Sequence, residues 1–239
     1  MKKLVLGLLA VMALGVVTAS ALAAGNGNTV WLCNSKFLTL EKCLVNSENL
    51  ETIVLEDMTE LAAVQCPPGS VLNEGWVGPG SEDETTSVTF GSNCSPPPKA
   101  ENLSNEILTN ICTLVVSVTA LALPWKTLAY LIGTATWDTI QPGASGNQPG
   151  YLITCVVAGL TMKDTCTTVS KHEANVELFN ASSIVLAQFP KELKSEKESE
   201  TERAKCSLGG AETGLVIGGN IDFEALEGGS AVPLELSEE

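Results

Sequence analysis

Three adjacent carboxylates, Glu82, Asp83 and Glu84, follow a glycine-containing segment at 78–80. Oxygen ligands on a glycine-rich turn suit Ca²⁺, which accepts several carboxylate and carbonyl oxygens in a flexible geometry. Their spacing does not match an EF-hand loop, and adjacent acids also occur simply as loop decoration. The sequence therefore predicts no cofactor and no metal, with calcium at this acidic loop as the open alternative.

Trp76 stands between Gly75 and Gly78, an arrangement that favours an indole exposed on a turn. An exposed indole can stack on a sugar ring or anchor a protein partner. Trp76 and the acidic loop together form the predicted ligand-binding patch. Aromatic residues make up only 5% of the chain, which argues against a deep polysaccharide cleft. The other aromatic side chains available for stacking are Trp125, Trp137, Tyr130 and Tyr151.

The sequence gives little support for any known combination of catalytic residues, and no catalytic residue is predicted. The only histidine, His172, lies in a polar segment before an apolar run and is expected at the surface. One histidine removes most Ser-His-Asp and Cys-His sets, and the chain contains no G-x-S-x-G motif. A glycosidase needs two carboxyl groups flanking a bond, but among 28 acidic residues no spacing selects a pair. A carboxylate-dependent hydrolase is therefore the third alternative.

The eight cysteines form an even set without any C-x-x-C pair, which argues against zinc and thioredoxin-type redox chemistry. Four disulfides are expected in an oxidising compartment. Cys155 and Cys166 flank an expected hairpin turning near 159–162, so a bridge between them is favoured. Of the other local choices, Cys33–Cys43 and Cys66–Cys94 come next, which leaves Cys112–Cys206 across the second half.

The first residues predict export. Two lysines precede an apolar run and an Ala-x-Ala site, so residues 1–23 are expected to be a cleaved signal peptide. A membrane anchor is the alternative, but the apolar run is short for a span, as is the run at 111–123. The formal net charge of −15 makes a nucleic-acid partner improbable. A secreted, extracellular protein is predicted, without a transmembrane anchor after cleavage.

The elements expected to position these residues are mostly short strands. Apolar, β-branched runs separated by Asn, Gly and Pro predict strands, and residues 112–118 alternate with period two. The predicted fold is all-β, an antiparallel sandwich or two small sheets, disulfide-stapled, with short helical insertions. Residues 24–239 form a single domain, with a possible subdivision at the proline-rich segment 95–100. A short helix is expected at 102–111, and a charged exposed loop or helix at 191–205.

Three segments of the sequence carry a resemblance: 78–86, 123–128, and 150–151 through 164–166. Together they resemble uncharacterised secreted, cysteine-containing, β-rich proteins of Solirubrobacter-type actinobacteria. The resemblance implies a Gram-positive origin and a β-rich fold, and it implies no activity or ligand.

These observations predict a non-catalytic exported structural or interaction protein that acts at or outside the cell wall. Its partner is expected to be a cell-wall polysaccharide or another extracellular protein. A secreted carbohydrate-binding module is the second alternative.

Overall fold

The computed structural model describes residues 29–38, 41–57, 62–101, 107–132, 134–141, 147–168, 174–189, 204–208, 212–217 and 219–238. The predicted signal peptide and His172 lie outside these residues. Within them the chain is all-β, with antiparallel pairing throughout. The expectation of an all-β, disulfide-linked antiparallel fold is thereby confirmed.

Eight strands close into a barrel rather than a sandwich. Following the hydrogen-bonded order, they are β16 (Ile184–Gln188), β15 (Ala174–Ala181), β12 (Ala135–Ile140), β11 (Trp125–Ile132), β7 (Glu82–Phe90), β6 (Val71–Val77), β3 (Cys43–Asn49) and β19 (Asn220–Glu227). Pairing of β19 with β16 closes the ring, and β20 (Ser230–Val232) extends β19 beyond it. The predicted sandwich is therefore wrong, because strand alternation specifies a buried face but not whether the sheet closes.

Alternation along β3 shows how the sequence builds the barrel wall. Cys43, Val45, Ser47 and Asn49 are buried, while the side chains between them are exposed. Asn49 accepts hydrogen bonds from the backbone N–H groups of Ser70 and Val71, and its amide group donates to the Pro67 carbonyl. These bonds fix the loop between β5 and β6 to the end of β3.

A second sheet of seven strands runs β10 (Leu114–Leu121), β13 (Gly150–Val157), β14 (Leu160–Thr167), β17 (Ala204–Cys206), β18 (Glu212–Ile217), β4 (Ile53–Asp57) and β5 (Ala62–Cys66). Asn110, just before β10, hydrogen-bonds both the N–H and the carbonyl of Ala63 on β5. These bonds connect the segment that precedes β10 to β5, at the other edge of the sheet.

Two small sheets complete the fold. β2 (Lys36–Phe37), β1 (Thr29–Cys33) and β21 (Leu234–Glu238) form one, and β8 (Lys99–Glu101) pairs with β9 (Ile107–Thr109) in the other. β1 contacts the barrel: the N–H of Trp31 donates to the Gly80 carbonyl at 3.1 Å, and its indole is 2% exposed. The three-stranded sheet thus covers one end of the barrel.

The chain passes repeatedly between the barrel and the second sheet. Hairpins β6–β7, β11–β12 and β15–β16 belong to the barrel, and β4–β5, β13–β14 and β17–β18 belong to the second sheet. Strands from both sides of residues 95–100 pair within each sheet, so the two sheets do not correspond to two halves of the chain.

The expected helical insertions are absent from the described residues. Ile107–Thr109, inside the segment expected to be helical, is a strand, while residues 102–106 lie outside the described part. Most of the charged segment 191–205 also lies outside it, and its last two residues begin β17. No helix in the described ranges has the length and hydrophobicity needed to cross a membrane.

All eight cysteines are paired, in part differently from expectation. Cys33–Cys43 and Cys66–Cys94 form as predicted, but the other bridges are Cys112–Cys155 and Cys166–Cys206. The expected hairpin exists, yet its turn at 158–159 pairs Cys155 with Met162 and Cys166 with Tyr151. Cys155 and Cys166 are therefore four register positions apart, roughly 13 Å along the strands, too far for a disulfide.

Tryptic mapping of the unreduced, denatured protein tests this connectivity. Cleavage after Lys163 separates Cys155 from Cys166. We expect peptide 100–126 to be linked to 127–163, and peptide 164–171 to 206–239. Recovery of 127–163 linked to 164–171 would contradict the pairing in the structure.

Candidate functional site

An apolar row crosses the outside of the barrel. Leu44 on β3 pairs with Leu226 on β19 and with Trp76 on β6, so the three side chains share the outer face. Leu44 is 62% exposed, and Trp76 and Leu226 are half-buried. We call Leu226, Leu44 and Trp76 the Leu44 face. Exposed apolar groups that adjoin a tryptophan on a rigid sheet are typical of a binding surface.

Trp76 occupies a strand rather than the turn expected from its flanking glycines. The Nζ of Lys42 lies 3.2 Å from the centre of its ring, and its Nε1 donates to Glu84 Oε1 at 3.1 Å. The ring also lies against Gly78, where an added Cβ would come within 2.8 Å of it. The indole is therefore held by charged neighbours, and Lys42 occupies one of its faces.

The three acids of the predicted loop lie on β7 and do not converge. Glu84 faces outward beside Trp76 and Glu82 is exposed, whereas Asp83 pairs with the buried Val77 and points into the barrel. Alternation along a strand sends successive side chains to opposite faces. These three carboxylates therefore cannot bind one ion together. The structure brings Trp76 and Glu84 into contact and directs Asp83 to the barrel interior.

A second carboxyl group meets Asp83 inside the barrel. Asp138 on β12 is 6% exposed and lies opposite Ala129 on β11, the strand that also pairs with Asp83. Burial raises the pKa of Asp138 to about 7, against smaller opposing effects of backbone hydrogen bonds from Thr139 and Leu128. Burial and the charge of Asp138 hold the pKa of Asp83 well above its usual range. We call Asp83 and Asp138 the barrel carboxyl pair.

Trp31 closes the space above this pair. Its indole N–H faces the Asp83 carboxyl, and its presence lowers the pKa of Asp83, without overcoming the effect of burial. Neither the indole N–H nor Asp83 Oδ2 has a hydrogen-bond partner of acceptable geometry. A cavity of about 20 Å³ is lined by Trp31, Asp83 and Asp138, together with Ser47 and Asn73. That volume admits about one water molecule.

The second sheet contains another buried carboxyl pair. Asp57 and Asp164 both lack exposed surface, and their side chains share a hydrogen bond. Asp164 Oδ1 also accepts hydrogen bonds from the N–H and hydroxyl of Ser207 and from the N–H of Leu208. Burial is the largest cause of the raised pKa of Asp164, and the hydrogen bond and charge of Asp57 add to it. Two carboxyl groups that share a hydrogen bond must hold a proton between them.

Asp164 also lies close to a disulfide, but this group does not form a metal site. One ligand atom from each of Asp164, Cys166 and Cys206 falls within 4.8 Å of the others. Both sulfurs belong to the Cys166–Cys206 bridge, so neither can act as a thiolate ligand.

Sequence reasoning identified Asp83 but placed it in an exposed acidic loop, and it missed Asp138, Asp57 and Asp164. A signal existed for Asp138: it alternates with Thr136 and Ile140, so a period-two reading would place it on an inner face. Its proximity to Asp83 depends on the pairing of both strands with β11.

Comparison with known proteins adds no assignment, since no family model, curated protein or solved structure matches the chain.

Proposed function

We propose that the protein is a non-catalytic, exported interaction protein that acts at or outside the cell wall and binds a protein partner through the Leu44 face. The observation that carries this proposal is the in-register apolar row of Leu226, Leu44 and Trp76, exposed on a closed barrel. The four disulfides support an oxidising, extracellular setting.

The surroundings of this row suit a protein partner. Glu84 and Lys126 continue it on β7 and β11, and Lys42 lies over Trp76, so charged groups border an apolar centre. An apolar centre within a charged border is the usual arrangement of a protein interface. A sugar ring would need the indole face that Lys42 occupies, which makes the carbohydrate-binding module the weaker alternative.

The placement of the carboxyl groups supports a non-catalytic role. A hydrolase must bring its carboxyl pair to both sides of a substrate bond. The barrel carboxyl pair adjoins a cavity of about 20 Å³ beneath Trp31, which has room for one water and none for a sugar or a peptide. Asp57 and Asp164 have no exposed surface.

Sedimentation with isolated Gram-positive cell walls tests the proposal. We expect the protein to be retained by native walls and Leu44→Ser to lower its affinity about tenfold, as loss of a central apolar contact does. Leu160→Ser is the matched control, because Leu160 is 75% exposed and lies on β14 of the second sheet. Equal losses in the two variants would contradict a binding role for the Leu44 face.

Two further measurements distinguish protein binding from carbohydrate binding and from hydrolysis. Walls stripped of protein by protease should no longer retain the chain. Retention by stripped walls or by insoluble polysaccharide, lost in Trp76→Ala, would instead favour the carbohydrate-binding module. Release of reducing sugar over hours would contradict the non-catalytic proposal.

A further inference from the structure

The barrel interior contains buried oxygen atoms that the protein leaves without partners. Asp83 Oδ2 and Asp138 Oδ1 have almost no accessible surface and accept no hydrogen bond. The hydroxyl of Thr127, the register partner of Asp83, is also without a partner, and Thr127 is 7% exposed. Buried polar atoms in folded proteins almost always bind a protein group, a water or an ion. These oxygens therefore point to an additional occupant.

The cavity beside them offers further oxygen ligands. Ser47 and Asn73 line it together with both aspartates, and the Asn73 amide donates to Ser47 Oγ at 2.9 Å. This donation orients both polar groups at the wall of the cavity. From the unpartnered oxygens and this lining, we propose that Asp83 and Asp138 bind a single Ca²⁺ ion inside the barrel. The proposal is independent of the function assigned to the Leu44 face.

The ligand chemistry selects a hard cation. The oxygen-bearing side chains that line the cavity are carboxylates, two hydroxyls and an amide, and the lining contains neither imidazole nor thiolate. Transition metals favour nitrogen and sulfur ligands. Mg²⁺ keeps several of its own waters in a strict octahedron, whereas Ca²⁺ accepts irregular protein ligands. A cavity of about 20 Å³ has no room for a hydrated Mg²⁺.

Charge near the cavity favours entry of a cation. Glu74 and Glu84 also line it, and Glu74 is exposed. The chain as a whole carries −15, so cations are concentrated near its surface. This general attraction would also produce weak, non-specific effects of any divalent ion, and the test must separate the two.

Thermal unfolding of the full chain at pH near 7.5 provides the test. Millimolar Ca²⁺ is expected to raise the melting temperature by about 3–5 °C over chelator, as for a ligand near ten times its Kd. Asp138→Asn should abolish this rise, while Glu82→Gln, which changes an exposed carboxylate on β7 outside the cavity lining, should retain it. Equimolar Mg²⁺ should give less than half of the rise.

Direct binding separates the outcomes further. Equilibrium dialysis with Ca²⁺ should find one ion per chain that Asp138→Asn loses, and Tb³⁺ in its place should show tryptophan-sensitised emission from the nearby Trp31. The proposal is overturned if Ca²⁺ produces no shift, if Mg²⁺ acts equally, or if the shift persists in Asp138→Asn. If acid stabilises the protein and Ca²⁺ does not, the occupant is a shared proton, and the calcium proposal is overturned as well.

Discussion

Raising the pH from about 4 to about 7.5 is expected to lower the free energy of unfolding by about 4 kcal/mol in chelator-containing buffer. Burial raises the pKa of Asp138 to about 7, while the pKa of an aspartate in the unfolded chain lies near its ordinary value of 3.8. Between these values the folded chain holds a proton that the unfolded chain has released. Stability is therefore fully present below the unfolded pKa and is lost as the pH approaches the folded pKa.

Asp138→Asn should remove most of this pH dependence, because an amide resembles the protonated carboxyl but does not ionise. Denaturant unfolding at several pH values, with disulfides intact, measures the difference. Glu224→Gln, an exposed change on β19, should follow the parent curve and controls for the general repulsion of an acidic chain. A parent curve that rises or stays flat over this range would contradict the assignment of a buried, protonated pair.

A smaller pH dependence of the same sign should remain in Asp138→Asn. Burial raises the pKa of Asp164 as well, and it still raises the pKa of Asp83 when the charge of Asp138 is removed. This residual slope should therefore decrease further, but not vanish, when Asp164 is also replaced.

The strands themselves were largely predictable from the sequence. β13 extends one residue beyond the expected run at 151–157, and β10 contains most of the alternating segment at 112–118. The hairpin turn at Gly228 and Gly229 follows from a glycine pair, and both residues adopt positive φ. These features depend on neighbours in sequence, which local patterns describe directly.

Closure of the barrel was not predictable from the same patterns. The decisive contact is the pairing of Val185 with Phe223 and of Ala187 with Ile221, between strands far apart in the chain. Period-two alternation assigns each residue to a face, yet it leaves the neighbouring strand unspecified. The disulfides divide in a similar way: Cys33–Cys43 and Cys66–Cys94 were predicted correctly. The pairing of the other four cysteines depends on strand register and sheet order, and it was predicted wrongly.

The sequence-based prediction of the candidate site was wrong for a related reason. Glu82 and Glu84 made Asp83 resemble part of an exposed acidic loop, although the segment forms β7 and only its middle carboxylate enters the barrel. Asp138 lies 55 positions later in the sequence, and a shared neighbour, β11, brings the two strands near each other. A buried carboxyl pair of this kind can be identified only when the strand order is known.

Replacing Trp31 by alanine is expected to lower the free energy of unfolding by about 3–5 kcal/mol. The side chain is 2% exposed, lies beneath the three-stranded sheet and lines the cavity with Asp83 and Asp138. Truncation removes a large buried surface and leaves a void that the rigid barrel wall cannot fill. Trp31→Phe keeps one aromatic ring and loses the pyrrole part of the indole, so the smaller loss of buried area should cost about 1–2 kcal/mol.

The same pair of variants tests whether Trp31 excludes water from the barrel carboxyl pair. Opening the end of the barrel admits water to Asp138, and hydration of the charged form returns its pKa toward the ordinary value. Trp31→Ala should therefore unfold at lower denaturant concentration and also show a shallower loss of stability between about pH 4 and pH 7.5. A destabilised Trp31→Ala that keeps the full slope would mean that other parts of the barrel bury the pair. Since the Phe side chain still covers the cavity, Trp31→Phe should keep the pH dependence of stability of the parent protein. The comparison therefore distinguishes loss of packing from entry of water.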